Sequence, residues 1–271
     1  MKWTFTTAFL MAFILACLSI YWAVLFRVNE NLGNLVVYVV DMDAQVAPYN
    51  TSGIQPLVGP QMTQLAWQQL SSSQATIGWG PLGAEAFDYD LVNVKQSIYD
   101  EDAWAAIIVN PNATALLYDA VQNGNTDYDP LGACQLVYVQ ARQDTNWASY
   151  LAPQIRQFQT QAVAQIGQMW TDMVIQNATN NQTLLQNVAQ VPQALSPAIG
   201  FSEFNLRPFT PPQATPATSI GLIYLIIISF FSFSFYLPIH MKVCNRSRRS
   251  IADAFPLTLL YSTSSQKDTR L

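Results

Sequence analysis

The chain has 271 residues, of which 51% are hydrophobic and only 11% are charged. Soluble domains carry about 25% charged residues, so the composition favours a membrane protein. The segment between Val28 and Thr218 contains 15 acidic but only 4 basic residues, which argues against nucleic-acid binding. The three cysteines, Cys17, Cys134 and Cys244, lie in separate segments. The sequence therefore predicts neither an internal disulfide nor a zinc cluster.

A first membrane-spanning helix is predicted over residues 5–26, after a short cytosolic N-terminus (residues 1–4). These 22 positions carry no charge. At 1.5 Å per residue they extend about 33 Å, enough to cross a hydrocarbon core of about 30 Å. A cleaved signal peptide has a shorter apolar region of about 7 to 15 residues. The motif "ILAC" resembles a lipoprotein cleavage box, but further apolar residues follow Cys17, so we expect an uncleaved anchor.

Residues 27–204 are predicted to form an α/β domain. Short apolar runs indicate buried strands at 35–40, 104–109 and 134–140. Helices are expected at 60–70, at 91–102 and in a segment that ends at Gly124. The Gly- and Ser-rich stretch 71–87 is typical of a turn region. The alternation of strands and helices predicts a small α/β fold.

A long amphipathic helix is predicted to follow the third strand. Its apolar positions step by three or four residues, which places them on one helical face. These positions are Trp147, Leu151, Ile155, Phe158, Ala162, Ile166, Met169 and Met173. A helix of this length exceeds what a three-stranded sheet covers. Part of the stripe is therefore expected to meet another subunit or a further part of the fold.

A second membrane-spanning helix is predicted over residues 220–239, after a Pro-rich linker at 205–219. The tail, residues 240–271, is basic and begins with Lys242 and Arg246 soon after the span. Basic residues mark the cytosolic side of a membrane helix, and Lys2 lies before the first span. The fold class is thus an α+β membrane protein, in which two transmembrane helices flank an extracytoplasmic α/β domain and both termini are cytosolic.

The segment between the spans contains four Asn-x-Ser/Thr sequons, which supports its extracytoplasmic position. The candidate glycosylation sites are Asn50, Asn112, Asn177 and Asn181. A fifth sequon, at Asn245, lies in the basic tail and is expected to remain unmodified.

Asp41 and Asp43 follow the first predicted strand as an Asp-x-Asp motif. In haloacid-dehalogenase-type phosphatases such a pair supplies a nucleophile and a proton donor, and in secretory-pathway glycosyltransferases it holds a divalent metal. Here "AQV" follows the pair, unlike the phosphatase pattern. Only 14 residues separate the pair from the first span, too few for a nucleotide-binding half-domain. We expect a structural pair with no catalytic, cofactor or metal role. A membrane-anchored lumenal enzyme is the alternative.

The order of several segments resembles a known family. After the first span come "LVVYVVDMD", "VGPQM" and "IYDEDAWAAIIVNPNATALL", and the aromatic second span ends near "PIH". This arrangement, over about residues 5–242, is similar to the fungal nitrosoguanidine-resistance family (DUF3533). That family comprises membrane proteins of unknown function related to ABC-2-type exporters and to the YhgE/Pip proteins. Its members continue with further spans, so the resemblance implies truncation after the second span.

The resemblance implies a role in drug resistance at the plasma membrane, through export or a membrane stress response. The sequence has no G-x-x-x-x-G-K-[ST] loop, so ATP-driven work would need a partner chain. Ser229 and Ser232 lie three residues apart in the second span, where small residues favour close helix contacts. We therefore expect a protein without cofactor, embedded in the lipid bilayer, that associates with itself or with other membrane subunits.

Overall fold

The computed structural model describes residues 2–51, 53–179, 181–210 and 213–254. The chain divides into two compact units, Met1–Phe209 and Thr210–Leu271. In the first unit the helices are α1 (Lys2–Leu25), α2 (Val58–Leu70), α3 (Leu91–Tyr99), α4 (Ala113–Asn123), α5 (Ala152–Ala178) and α6 (Gln182–Gln190). Its strands are β1 (Val36–Asp41), β2 (Gly78–Gly83), β3 (Ala105–Val109), β4 (Cys134–Tyr138) and β5 (Phe201–Asn205). The second unit contains α7 (Leu222–Ala254).

The five strands form one mixed sheet in the order β2-β1-β3-β4-β5. β1 is parallel to both β2 and β3, β4 is antiparallel to β3, and β5 is parallel to β4. The three predicted strands are confirmed as β1, β3 and β4, which occupy the middle of the sheet. The mixed α+β character of the domain is confirmed as well, with two strands more than predicted.

The edge strand β2 lies within the stretch 71–87 that was predicted to be a turn region, so that prediction was wrong. Its sequence, GWGPLG, contains three glycines and a proline, which are loop signals by composition. An edge strand tolerates Pro81, because one of its sides forms no ladder. Gly78 is required by a close approach: a Cβ at this position would lie 2.1 Å from the carbonyl oxygen of Gly33.

The other edge strand, β5, was missed because its sequence, FSEFN, has no apolar run. Glu203 and Phe204 are both exposed, as the position at the edge of the sheet allows. The strand ends at Asn205, and the compact unit continues to Phe209. The predicted start of the linker at residue 205 therefore falls inside the folded domain.

Helices cover both faces of the sheet. On one face, side chains of β1, β3 and β4 such as Val39, Ile107 and Leu136 share a core with α2, α4, α5 and α6. On the opposite face, Val40, Ile108 and neighbouring side chains pack against α3. The sheet is thus the middle of three layers, which explains why its central strands are apolar on both faces.

The predicted long helix is confirmed as α5, which a π-helical turn at Trp147–Leu151 precedes. The predicted stripe is buried from Leu151 to Ile166, but the buried face then continues through Trp170, Val174 and Ala178. Met173 is half-buried and packs against the same core, as predicted. Met169 is half-buried without packing against that core, so its placement in the stripe was wrong. The turns around Ala194, rather than the sheet, pack against the C-terminal part of α5. There the Trp170 indole donates a hydrogen bond to the Ala194 carbonyl at 2.8 Å.

The cover of the stripe comes from the same chain. Two additional strands, α6 and the segment 191–199 complete the core around α5. The length of the stripe, which was offered as a sign of another subunit, is therefore explained by the missed parts of the fold.

The two predicted spans correspond to α1 and α7. Among the residues whose side chains the structure describes, one helix, Leu222–Arg246, is long and apolar enough to cross a membrane. The apolar segment Trp3–Ser19 of α1 is shorter than that criterion. The complete α1 has 24 residues, or about 36 Å at 1.5 Å per residue. The tail beyond Ala254 lies outside the described residues.

The start of β1 and the end of β5 lie at the same end of the sheet. Paired residues form one row across the sheet at this end. Val37 pairs with Ala105, Ala105 with Tyr138, and Tyr138 with Asn205. We call this the amino end of β1. Asp41 terminates β1 at the opposite, carboxyl end.

Candidate functional site at the carboxyl end of β1

Both aspartates of the Asp-x-Asp motif are buried beneath the first turn of α2. Asp41 is 9% exposed and Asp43 is fully buried. The backbone N–H of Asp43 donates to Oδ1 of Asp41 at 2.9 Å. Both carboxyl groups contact Gly59: a Cβ on this glycine would lie 1.9 Å from Oδ1 of Asp41, and its N–H donates to Oδ2 of Asp43 at 3.1 Å. The absence of a side chain at Gly59 thus leaves room for both buried carboxyl groups.

The carboxylate of Asp43 joins the first turns of two helices. Its Oδ2 accepts the Gly59 N–H from α2, while its Oδ1 accepts the Thr114 N–H from α4 at 3.0 Å. The hydroxyl of Thr114 also donates to Oδ2 of Asp43. The same hydroxyl oxygen accepts the N–H groups of Leu57 and Val58 at 2.9 and 3.1 Å. One carboxylate and one hydroxyl therefore satisfy four backbone donors.

This network replaces the usual helix caps. The first N–H groups of a helix have no intrahelical partner, and a residue just before the helix normally accepts one of them. Here Leu57 precedes α2 with an apolar side chain, and the Asn112 side chain makes no capping bond in the described part of the chain. Asp43 supplies a cap to both helices from the turn that follows β1. Its negative charge also lies at the positive ends of two helix dipoles.

Asp41 is the group with the perturbed acidity in this cluster. Burial, together with the negative charges of Asp43 and Glu85, raises the pKa of Asp41 from 3.8 to about 6. The hydrogen bonds from the Asp43 N–H and from Gln45 act in the opposite direction. The ionised form of Asp41 is thus disfavoured by the fold.

We predict that the Asp41 carboxyl makes the domain less stable as pH rises. Because the folded-state pKa is the higher one, the folded protein holds this proton more tightly than the unfolded chain. The contribution of Asp41 therefore falls between about pH 4 and pH 6 and stays low above that range. The expected loss is on the order of 1–2 kcal/mol once residual solvent screening is allowed for. Urea unfolding across this range should show the slope in the parent protein and a weaker slope in Asp41→Asn. Equal slopes in both proteins would contradict the assignment.

The geometry of the pair limits its chemistry. The carboxylate of Asp43 accepts three hydrogen bonds, from the Gly59 N–H and from the N–H and hydroxyl of Thr114. Because Asp43 is also fully buried, no substrate reaches it from solvent in this conformation. Among the residues that the structure describes, no group of three His, Cys, Asp or Glu side chains is placed to hold a metal ion. The arrangement holds two helices on a sheet, as a structural pair does.

Sequence reasoning missed Gly59 and Thr114. Thr114 entered the sequence analysis only implicitly, because it completes the Asn112 sequon. One usable signal was present before α2, because the apolar side chain of Leu57 cannot cap that helix. Asp43, which follows the preceding buried strand β1, was available as an acceptor.

The four candidate glycosylation sites differ in accessibility. Asn50, Asn177 and Asn181 are exposed, whereas Asn112 is half-buried at the start of α4. In the Asn112 sequon the Thr114 hydroxyl is buried in the network with Asp43. Asn181 uses its side-chain oxygen to cap α6 through the Leu184 N–H, which leaves its amide nitrogen available. The structure thus favours Asn50, Asn177 and Asn181 over Asn112.

Comparisons with known proteins agree with the resemblance inferred from the motifs. An uncharacterized endoplasmic reticulum membrane protein of Saccharomyces cerevisiae is 22% identical over 257 residues, which are 90% of this chain and 49% of that protein. The chain thus spans about half the length of that curated relative. A crystallised domain assigned to an ABC type-2 transporter of Thermotoga maritima shares 11% identity with this chain, with a TM-score of 0.30. The alignment covers 69% of this chain and 99% of that domain. The family described as protein of unknown function (DUF3533) matches residues 6–264. Because this match includes almost the whole sequence, the chain belongs to the DUF3533 family.

Proposed function

We propose that this chain is an integral membrane protein in which α1 and α7 anchor an extracytoplasmic α/β domain. The observation that carries the proposal is the apolar stretch Leu222–Arg246 of α7, whose 25 residues suffice to cross a bilayer. Within this stretch Ile226, Phe230 and Tyr236 are 69–71% exposed. A lipid environment would cover these apolar side chains. Soluble monomers rarely expose an apolar patch of this size to water.

The topology of the sheet supports membrane anchors both before and after the domain in the chain. The chain arrives from α1 through two short helical turns, Val28–Asn31 and Leu32–Asn34, and enters the sheet at the amino end of β1. It leaves the sheet from β5 at that same end. A strand that begins and a strand that ends at the same end of the sheet suit two anchors in one bilayer.

The distribution of charge supports the proposed orientation. Lys242 and Arg246 lie at the end of the α7 apolar stretch, and Lys2 lies at the start of α1. By the positive-inside rule both chain ends then face the cytosol, and the domain faces the opposite side. The relative in yeast is described as a protein of the endoplasmic reticulum membrane, whereas the family resemblance implies the plasma membrane. Both membranes belong to the secretory pathway and allow N-glycosylation of the domain.

We further propose that the protein acts in export or in a membrane stress response, as one part of an assembly. Two helices do not enclose a solute pathway, so transport would require helices from other subunits. The hydroxyl of Ser232 donates to the Ser229 carbonyl of its own helix at 2.8 Å. These serines therefore do not need a partner helix, and other surfaces must carry the contacts. A strict monomer in light scattering of the detergent-solubilised protein at every concentration would contradict this part of the proposal.

The alternative of a lumenal enzyme has less support, because Asp43 is enclosed by its structural hydrogen bonds. Asp41→Asn discriminates between the two functions, since it keeps the shape of the side chain and removes the charge. In the structural account this variant reaches the membrane at normal abundance and retains any resistance phenotype. Complete loss of that phenotype at normal abundance would favour the enzyme.

We predict that the protein carries N-linked glycans. Treatment with an N-glycosidase should increase its gel mobility, because exposed sequons face the glycosylation machinery in the proposed topology. Asn50→Gln, Asn177→Gln and Asn181→Gln should each remove one mobility step if the corresponding site is used, while Asn112→Gln should change nothing. The absence of any shift in the parent protein would contradict the extracytoplasmic placement.

A further inference from the structure

A cavity of about 240 Å³ lies between the end of α2 and the first half of α5. Trp79 of β2 and Phe158 of α5 line it, and the loop Gln74–Thr76 forms part of its wall. Five glutamines supply most of its polar surface: Gln69, Gln74, Gln154, Gln157 and Gln161. We call this space the glutamine cavity. It lies at the opposite end of α2 from the network of Asp43 and uses none of those residues.

Two hydrogen bonds hold the walls of the glutamine cavity in place. The Gln69 amide donates from Nε2 to Oε1 of Gln161 at 2.7 Å, which connects α2 to α5. The backbone N–H of Ile77 donates to Oε1 of Gln154 at 2.9 Å, which fixes the end of the loop. Within the described residues the amides of Gln74 and Gln157 have no hydrogen-bond partner. The cavity therefore offers both donors and acceptors, and hydrogen bonds hold part of its wall.

Trp79, one of the residues that line the cavity, carries an unpaired donor. Trp79 is 5% exposed, and its indole Nε1 has no hydrogen-bond partner among the described residues. Its ring stacks on Phe158 with centroids 4.4 Å apart and planes inclined by 25°, so the stack fixes the ring. A buried N–H group without an acceptor is costly, and indole N–H groups usually find a partner when they are buried. An oxygen atom from a ligand would supply that partner.

The lining also determines the charge of the ligand. None of the described residues that line the cavity is charged, so an ionic ligand would lose its hydration without compensation. Side-chain amides both donate and accept, and this suits hydroxyl groups, which do the same. Sites for drug-sized ligands occupy about 300–1,000 Å³, so this smaller space suits one ring.

We infer that the glutamine cavity binds a neutral, hydroxyl-rich ligand of the size of one sugar ring. A ligand oxygen accepts the Trp79 indole N–H, while other hydroxyls bond the amides of Gln74 and Gln157. Because the indole nitrogen is buried, a neighbouring side chain has to move before the ligand oxygen reaches it. The inference does not depend on the membrane topology or on export.

The test observes the indole N–H directly. The full chain is prepared in detergent micelles with ¹⁵N-labelled tryptophan, which gives seven indole signals for its seven tryptophans. Trp79→Phe identifies the Trp79 signal by its loss. Titration with glucose or N-acetylglucosamine should move this signal in a saturable manner. Glucose 6-phosphate and glucosamine, which carry charges, should leave it in place.

Matched variants locate the site. Gln157→Ala and Gln74→Ala remove exposed side chains that line the cavity, and each should weaken the titration about tenfold, the equivalent of one good hydrogen bond. Gln68→Ala removes an exposed glutamine of α2 outside the cavity and should have no effect. The inference is overturned if neither neutral sugar moves the Trp79 signal, if the charged sugars move it equally, or if Gln68→Ala weakens binding as much as Gln157→Ala.

Discussion

Replacing Asp43 with alanine should lower the free energy of unfolding by about 3–5 kcal/mol, the largest effect we expect from a single polar residue. The variant leaves the buried N–H groups of Gly59 and Thr114 without an acceptor, and it removes the charge from two helix N-termini. Denaturant unfolding of the solubilised full-length protein, followed by tryptophan fluorescence, measures the shift in the midpoint.

Two further variants make the Asp43 test specific. Asp127→Ala removes an exposed aspartate and should change stability by less than about 0.5 kcal/mol. Thr114→Val keeps the shape of the threonine but deprives Asp43, Leu57 and Val58 of the hydroxyl. Because it breaks the same network, its effect and that of Asp43→Ala should not add. Equal effects of Asp43→Ala and Asp127→Ala would contradict the capping role.

Trp170→Ala should destabilise the domain by about 3–5 kcal/mol through the cavity it leaves. Trp170 is 1% exposed, contacts Tyr118 edge-on with ring centroids 4.9 Å apart, and donates a hydrogen bond to the Ala194 carbonyl. Met169 is its half-buried neighbour on α5. Met169→Ala is the matched control and should cost about 1 kcal/mol or less. A larger effect at Met169 than at Trp170 would mean that the buried face of α5 continues along the originally predicted stripe.

The central strands and helices of the domain were predictable because their signals are local. β1, β3 and β4 are apolar on both faces, and Gly124 ends α4 in the left-handed conformation that glycine favours. The edge strands were not predictable in this way. β2 depends on the close approach of Gly78 to Gly33, and β5 depends on pairing with β4, and neither contact has a signature in the sequence.

The position of the aspartate pair was predictable only in outline. The sequence indicated residues that end a buried strand. It did not show that Asp43 accepts the N–H groups of Gly59 and Thr114, which are 16 and 71 positions away in the chain. The shift from Met169 to Trp170 on α5 has the same origin, because the segment around Ala194 that covers this turn is distant in sequence.

The most direct test of the proposed membrane topology is protease protection in sealed microsomes, with an epitope tag at each end of the full chain. The account predicts that protease added outside the vesicles removes both tags, while the glycosylated domain survives as a protected fragment that retains α1 and α7. Protection of either tag, or digestion of the domain in intact vesicles, would contradict the arrangement of two anchors around an extracytoplasmic domain.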